Sequence, residues 1–176
     1  MVRAASILLT ILCCLSLIAT AQDKKQPMEH EFSTVQPNPA FDQVKSLAGD
    51  WVGTVRGMTT KMNYRVMSAG SSVILVQDGD KPGDEMVTVF SPDGKDLLAT
   101  HYCSAKNQPR MKLVPGTDPK VLRFTFLDAT NLTDPQIGHM VGLTLRIVDA
   151  DHHVQEWTFT DHGKEMTEKF DMHRRM

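Results

Sequence analysis

The sequence predicts an all-β protein: an antiparallel up-and-down β-barrel of about eight to ten strands, preceded by one short helix. Three observations carry this. From Trp51 onward apolar and polar residues alternate in short runs. The runs are separated by turn segments rich in Gly, Pro, Asp and Asn. No connection is long enough to hold the crossover helix that a parallel sheet requires. An antiparallel meander of this length can close on itself, which removes its edges and leaves an interior lined by alternate residues. A two-sheet sandwich is the competing arrangement, but sandwiches usually need a Greek-key crossover, and no connection here demands one.

Residues 1–21 read as a secretory signal peptide. They hold a single charge, Arg3, then the apolar run "ILLTILCCLSLI" from Ile7 to Ile18, then "ATA", with cleavage expected after Ala21. The apolar run is too short for a membrane span, and no later segment is continuously apolar over the roughly twenty residues a span needs. The expected location is secreted or periplasmic, with no membrane span. Residues 22–39 ("QDKKQPMEHEFSTVQPNP") are polar, contain three prolines and show no periodicity, so they read as a flexible lead-in. Residues 40–176 then form a single barrel domain.

The helix is expected in "NPAFDQVKSLAGDW". Asn38 can cap it, Pro39 suits its first turn, and Phe41, Val44 and Leu47 recur at helical spacing until Gly49. The strands follow. "KMNYRVMS" alternates strictly, with Met62, Tyr64 and Val66 on one face. "SSVILVQ" stops at "DGDKPGD", "EMVTVF" at "SPDG", and "DLLATHYC" at "SAKNQP". Then come "RMKLV", "VLRFTFL", "HMVGLTLRIV", "VQEWTFT" and "EMTEKFDMHR", each bounded by turn chemistry. With the segment after Trp51 this makes about ten strands in meander order.

Composition narrows the function. Cys13 and Cys14 leave with the leader, so Cys103 has no intrachain partner, and the core holds without covalent staples. Removing Arg3 from the 19 basic residues leaves 18 against 21 acidic ones, a formal charge of −3 with no basic block. Nucleic acid is not an expected partner, because phosphate binding needs clustered positive charge.

"SLAGDWVGT", a short helix ending in Gly-Asp-Trp at the opening of the first strand, resembles the start of the lipocalin and calycin barrels. The resemblance implies that Trp51 closes the barrel floor and that Arg174 or Arg175, in "FDMHRRM", packs across its ring. The wider pattern, "EMVTVF", "THYCSAKNQPRM", "DATNL", "HMVGLTLRIVD" and "QEWTFTDHGKE", is similar to a group of secreted bacterial lipocalin-like proteins of unassigned function. It covers most of the chain after the lead-in and implies a fold more than a role. Typical secreted lipocalins have disulfides and eight strands. One free cysteine and about ten strands are closer to fatty-acid-binding or haem-binding relatives.

The polar candidates lie on otherwise apolar faces. In "DLLATHYC", Leu97, Ala99, His101 and Cys103 share one face, which its apolar start turns inward. His139 heads the face of Val141, Leu143, Leu145 and Ile147, while His153, Gln155, Trp157 and Phe159 share another. Each such residue alone reads equally as a solvated strand end or a satisfied buried group. Together they point to an apolar cup with a few directional groups, as small-molecule sites usually are. Arg110, beside Asn107 and Gln108, could hold a carboxylate or phosphate, or simply lie on the surface. The ligand-binding set is therefore His101, Cys103, Arg110, His139, Gln155 and Trp157, with Trp51 and Arg174 structural.

These residues favour a binding protein over an enzyme, without deciding between them, for a small apolar or amphiphilic ligand, with no cofactor expected. One alternative is an enzyme on the same barrel, using His101 as general base with Cys103 or Glu156. The other is a haem-binding barrel, although there is no Cys-x-x-Cys-His and no cysteine set. No metal site is expected: His152 and His153, being adjacent, point to opposite faces of an extended segment.

Overall fold

Alternation sorts the described residues into ten strands paired one to the next around a closed circle. In the computed structural model, which describes residues 31–79 and 81–176, helix α1 (Pro39–Ser46) precedes β1 (Gly49–Val55), β2 (Met58–Met67), β3 (Ser72–Gln77), β4 (Met86–Asp93) and β5 (Asp96–Tyr102). Then follow β6 (Gln108–Val114), β7 (Val121–Thr130), β8 (His139–Ile147), β9 (His152–Asp161) and β10 (Lys164–Arg174). The expected leader and the first part of the lead-in, through residue 30, lie outside the described residues. Each strand pairs antiparallel with its neighbours in sequence, and β10 returns to β1, giving a closed up-and-down barrel.

The hairpins are tight where sequence allows it. Arg56-Gly57 joins β1 to β2 and His162-Gly163 joins β9 to β10, with all four residues at positive φ. That is the conformation whose twist matches antiparallel strands. The seam between β1 and β10 pairs Trp51 with Arg174, Gly53 with Met172 and Thr54 with Asp171. Gly53 is required there, because a Cβ would overlap the carbonyl oxygen of Asp171 and meet the Met172 sulfur at 2.7 Å.

Alternate residues fill the half of the lumen nearest α1. Trp51, Tyr64, Phe90, Leu97, Met111 and Leu145 are all fully buried there. The helix plugs this end: Phe41, Val44 and Leu47 are each no more than 1% exposed, and burial of such a side chain is worth about 1.5–3 kcal/mol. Asn38 fixes its start twice over. Its Oδ1 accepts from the Phe41 N–H at 3.0 Å, and its Nδ2 donates to the carbonyls of Lys95 and Asp96 in the β4–β5 turn.

Arg174 fixes the other end of the helix. Its guanidinium carbon lies 4.4 Å from the centre of the Trp51 ring. Its nitrogens donate to the carbonyls of Ala48 (2.8 Å), Ser46 (3.2 Å) and Ala150 (2.9 Å). One side chain thus joins the helix end, the β8–β9 turn and the floor tryptophan, whose Nε1 donates to the Leu47 carbonyl at 2.8 Å. Replacing Arg174 by Ala leaves these carbonyls without their charged donor and should cost about 2–4 kcal/mol in urea unfolding. Arg174→Lys should recover only part of it, since an ammonium lacks the planar fork.

Two bulges break the strict alternation. Arg110 pairs with Asp128 but Met111 with Phe126, leaving Leu127 as the extra residue of β7. Met140 pairs with Phe159 but Gly142 with Thr158, leaving Val141 as the extra residue of β8.

Candidate functional site

The end of the barrel opposite α1 is open. Alternation brings the mouth-side ends of the strands around a cavity of about 660 Å³, which includes His101 of β5, Met140 of β8 and Trp157 and Phe159 of β9 in its wall. Thr60, Gln77, Met86, Met166 and Phe170 also line it, and Asp78 and Asp84 bring carboxylates to its edge. At the rim, Arg56 in the β1–β2 turn forms an ion pair with Glu168 of β10. Its lining is mixed: methionine and aromatic side chains share the wall with Thr59, Gln77, Asp78, Asp84 and Ser104, so a bound molecule would meet both apolar surface and directional polar groups.

His101 is the most informative wall residue. Leu97 and Ala99 precede it on the same inward face, and it is 2% exposed. Its Nδ1 lies 2.9 Å from the Thr88 hydroxyl, directly across the β4–β5 ladder. Its ring centre lies 4.7 Å from that of Trp157. Its Nε2 is buried and has no partner. Burial lowers the imidazole to a pKa of about 4, so at neutral pH it is uncharged. If the Thr88 hydroxyl donates to Nδ1, Nε2 carries a proton to offer; if Nδ1 donates, Nε2 offers a lone pair.

The other expected ligand residues divide sharply. Trp157 is a cavity wall, and its indole Nε1 donates to Gln155 Oε1 at 2.7 Å. Cys103 also borders the cavity, but from the Cys103–Asn107 turn beyond the end of β5, where partial burial raises its thiol pKa. Gln155 is not in the cavity wall. Its amide is taken up by Trp157 on one side and by the Tyr64 hydroxyl on the other, so it forms a closed polar link inside the core.

Arg110 stands on the outer surface, correcting its reading as an anion clamp. It grips the carboxylate of Asp128 across the β6–β7 ladder through Nε at 2.6 Å and through Nη2. That contact raises the arginine pKa and lowers that of the aspartate. His139 is also corrected. The bulge at Val141 gives Met140, not His139, the face that leads to Leu143 and the cavity. His139 is buried instead against Phe126, ring centres 5.0 Å apart, with Nδ1 at 2.7 Å from the Ile137 carbonyl. Glu156, the alternative catalytic group, is exposed and pairs with Thr144 and Lys169, away from the cavity.

Thr88 was not among the candidates, although a signal existed. The β4–β5 hairpin turns at Gly94 and Lys95, and counting outward from Asp93 and Asp96 places Thr88 opposite His101. Met86, Met140 and Met166 were visible only as a high methionine content.

A third buried histidine lies deeper. His153 is 0% exposed, with its ring centre 4.4 Å from Trp51 and 5.6 Å from Tyr64. Neither ring nitrogen has a partner. Burial, reinforced by the nearby His152 and Arg174, lowers its pKa to about 3.

The fold and cavity together define a ten-stranded antiparallel barrel of lipocalin-like form, plugged by a helix at one end and open at the other. No family model matches the chain, and no curated protein sequence does. Solved structures do match its shape. Rv2717c from M. tuberculosis superposes with a TM-score of 0.56 at 12% identity, covering 78% of this chain and 98% of its own. A protein of unknown function from the DUF3598 family of Nostoc punctiforme PCC 73102 gives 0.51 at 13%, covering 76% of this chain and 49% of its own. At such identities the likeness is one of fold.

Proposed function

We propose that this barrel binds a small apolar or amphiphilic molecule in its open-end cavity, with the polar group of the ligand meeting His101. The observation that carries the reading is the buried, unpartnered Nε2 of His101 beside a cavity where methionine and aromatic side chains offer apolar surface among polar ones. An unpaired buried polar atom costs about 1–3 kcal/mol, which a ligand hydrogen-bonded to it would recover. Because the imidazole is neutral and Arg110 points outward, the ligand head is expected to be an uncharged hydrogen-bonding group. The leader-like segment supports a secreted or periplasmic setting, which N-terminal sequencing of exported protein would test.

Mass spectrometry of material released on denaturation should reveal an amphiphile in near-stoichiometric amount. In titrations with an alcohol-headed lipid probe, His101→Leu should weaken binding about tenfold, equivalent to about 1.4 kcal/mol. Thr88→Val, which frees the imidazole tautomer, should weaken it less. Equal affinity in the parent and His101→Leu would overturn the assignment. Catalysis is less well supported: Glu156 is remote, and the raised Cys103 pKa makes a weak nucleophile. Cys103 should therefore alkylate no faster than glutathione at neutral pH.

One other reading rests on the same atom. With Nδ1–H donating to Thr88, the Nε2 lone pair could serve as an axial ligand to haem iron. A Soret band that develops on haem addition and is lost in His101→Leu would favour it over the amphiphile.

A further inference from the structure

The outer face of the barrel carries a different constellation, at the end away from the cavity. His152 opens β9 and stands directly opposite His173 near the end of β10, and Asp171 lies two residues before His173 on the same face. Both imidazoles converge on one atom: His152 Nε2 is 2.9 Å and His173 Nε2 is 3.4 Å from Asp171 Oδ1. The rings stack with centres 4.4 Å apart, and one donor atom from each residue lies within 4.8 Å of the other two.

We propose that His152, Asp171 and His173 form a binding site for a divalent transition-metal ion of the zinc type. A cation bonded at about 2.0–2.2 Å to nitrogen and oxygen donors holds neighbouring donors roughly 3–3.5 Å apart. The trio therefore needs only small side-chain rotations to close on an ion. Two imidazoles and one carboxylate form a donor set suited to zinc, nickel or copper, whereas magnesium and calcium prefer all-oxygen sites. A single histidine would suffice as an ion-pair partner for Asp171; the second brings a third donor atom close enough for all three to surround one ion. His173 is exposed, so a fourth position is open to water.

Position gives the site a consequence. Asp171 pairs with Thr54 and His173 with Val52 across the β1–β10 seam. An ion held there would tie β9 to β10 beside the closure of the barrel. Because it binds the folded form, it should raise the unfolding temperature.

The test uses the untagged chain with Cys13→Ser, Cys14→Ser and Cys103→Ser, which removes every thiol as a rival ligand. Calorimetric titration with zinc chloride should give one saturable site per chain, and cobalt(II) should develop d–d absorption. His152→Ala and His173→Ala should each weaken zinc about tenfold or more. His162→Ala should leave it unchanged, because that histidine sits in an exposed His–Asp pair at the other end of the barrel. The zinc-induced rise in unfolding temperature should vanish in the His152→Ala/His173→Ala double variant. Absence of saturable binding, or equal zinc affinity in both single variants and the parent, would overturn the proposal.

Discussion

Lowering the pH from 7.5 to 4.5 should remove about 5 kcal/mol of folding stability through two histidines. His101 and His153 titrate at about 4 and about 3 in the folded barrel, against about 6.5 in an unfolded chain. Below 6.5 the unfolded state takes up protons that the folded state refuses, so stability falls as the pH falls. The decline begins near 6.5 and ends only when each folded-state pKa is passed. At pH 4.5 each group accounts for roughly 2 to 3 kcal/mol, His153 for slightly more than His101. Urea midpoints at the two pH values, compared at constant m, measure the loss. His153→Phe should cut it by about half, and the double variant with His101→Leu by more. A double variant that loses as much as the parent would show that the buried imidazoles are not the cause.

Gly53→Ala should cost about 3 kcal/mol or more, because its methyl group would collide with backbone. The Asp171 carbonyl belongs to the ladder that shuts the barrel, and it cannot yield without parting β1 from β10. Circular dichroism melts would show the loss. Gly142→Ala is the control: there the nearest atom to a new Cβ is the Phe124 carbonyl oxygen at 3.6 Å, an ordinary contact. If the two variants melt alike, close approach at the seam is not what fixes glycine at position 53.

The architecture was readable because its determinants are local. Period-two alternation, Asp/Gly/Pro turns and short connections dictate an antiparallel meander, and the same alternation that turns Leu97 and Ala99 inward carries His101 with them. The helix was readable from Asn38, Pro39 and the spacing of Phe41, Val44 and Leu47. The contents of the cavity were harder to read. A bulge changes which residues share a face, and nothing in "HMVGLTLRIV" marks Val141 as the extra residue, so His139 could not be assigned correctly from alternation. Arg110 was better determined than its reading allowed, because Pro109 and Met111 beside it are the buried positions. Gln155 lay on an inward face, but its partner Tyr64 is 91 residues away in sequence, and satisfaction at that range has no local signature. The convergence of His152, Asp171 and His173 escaped the sequence for a related reason. Attention to neighbouring His152 and His153 cannot reveal His173, which only strand pairing brings opposite.

Nine of the ten ladders join strands adjacent in sequence, and only the β1–β10 seam joins distant ones. Hairpins can therefore zip one onto the next at little entropic expense, while a single closure event carries the penalty of a very long loop. That places the slow step of folding at the meeting of Trp51 with Arg174. An arrested intermediate would be an open curled sheet with two sticky margins, poised to recruit another copy before it finds its own other edge.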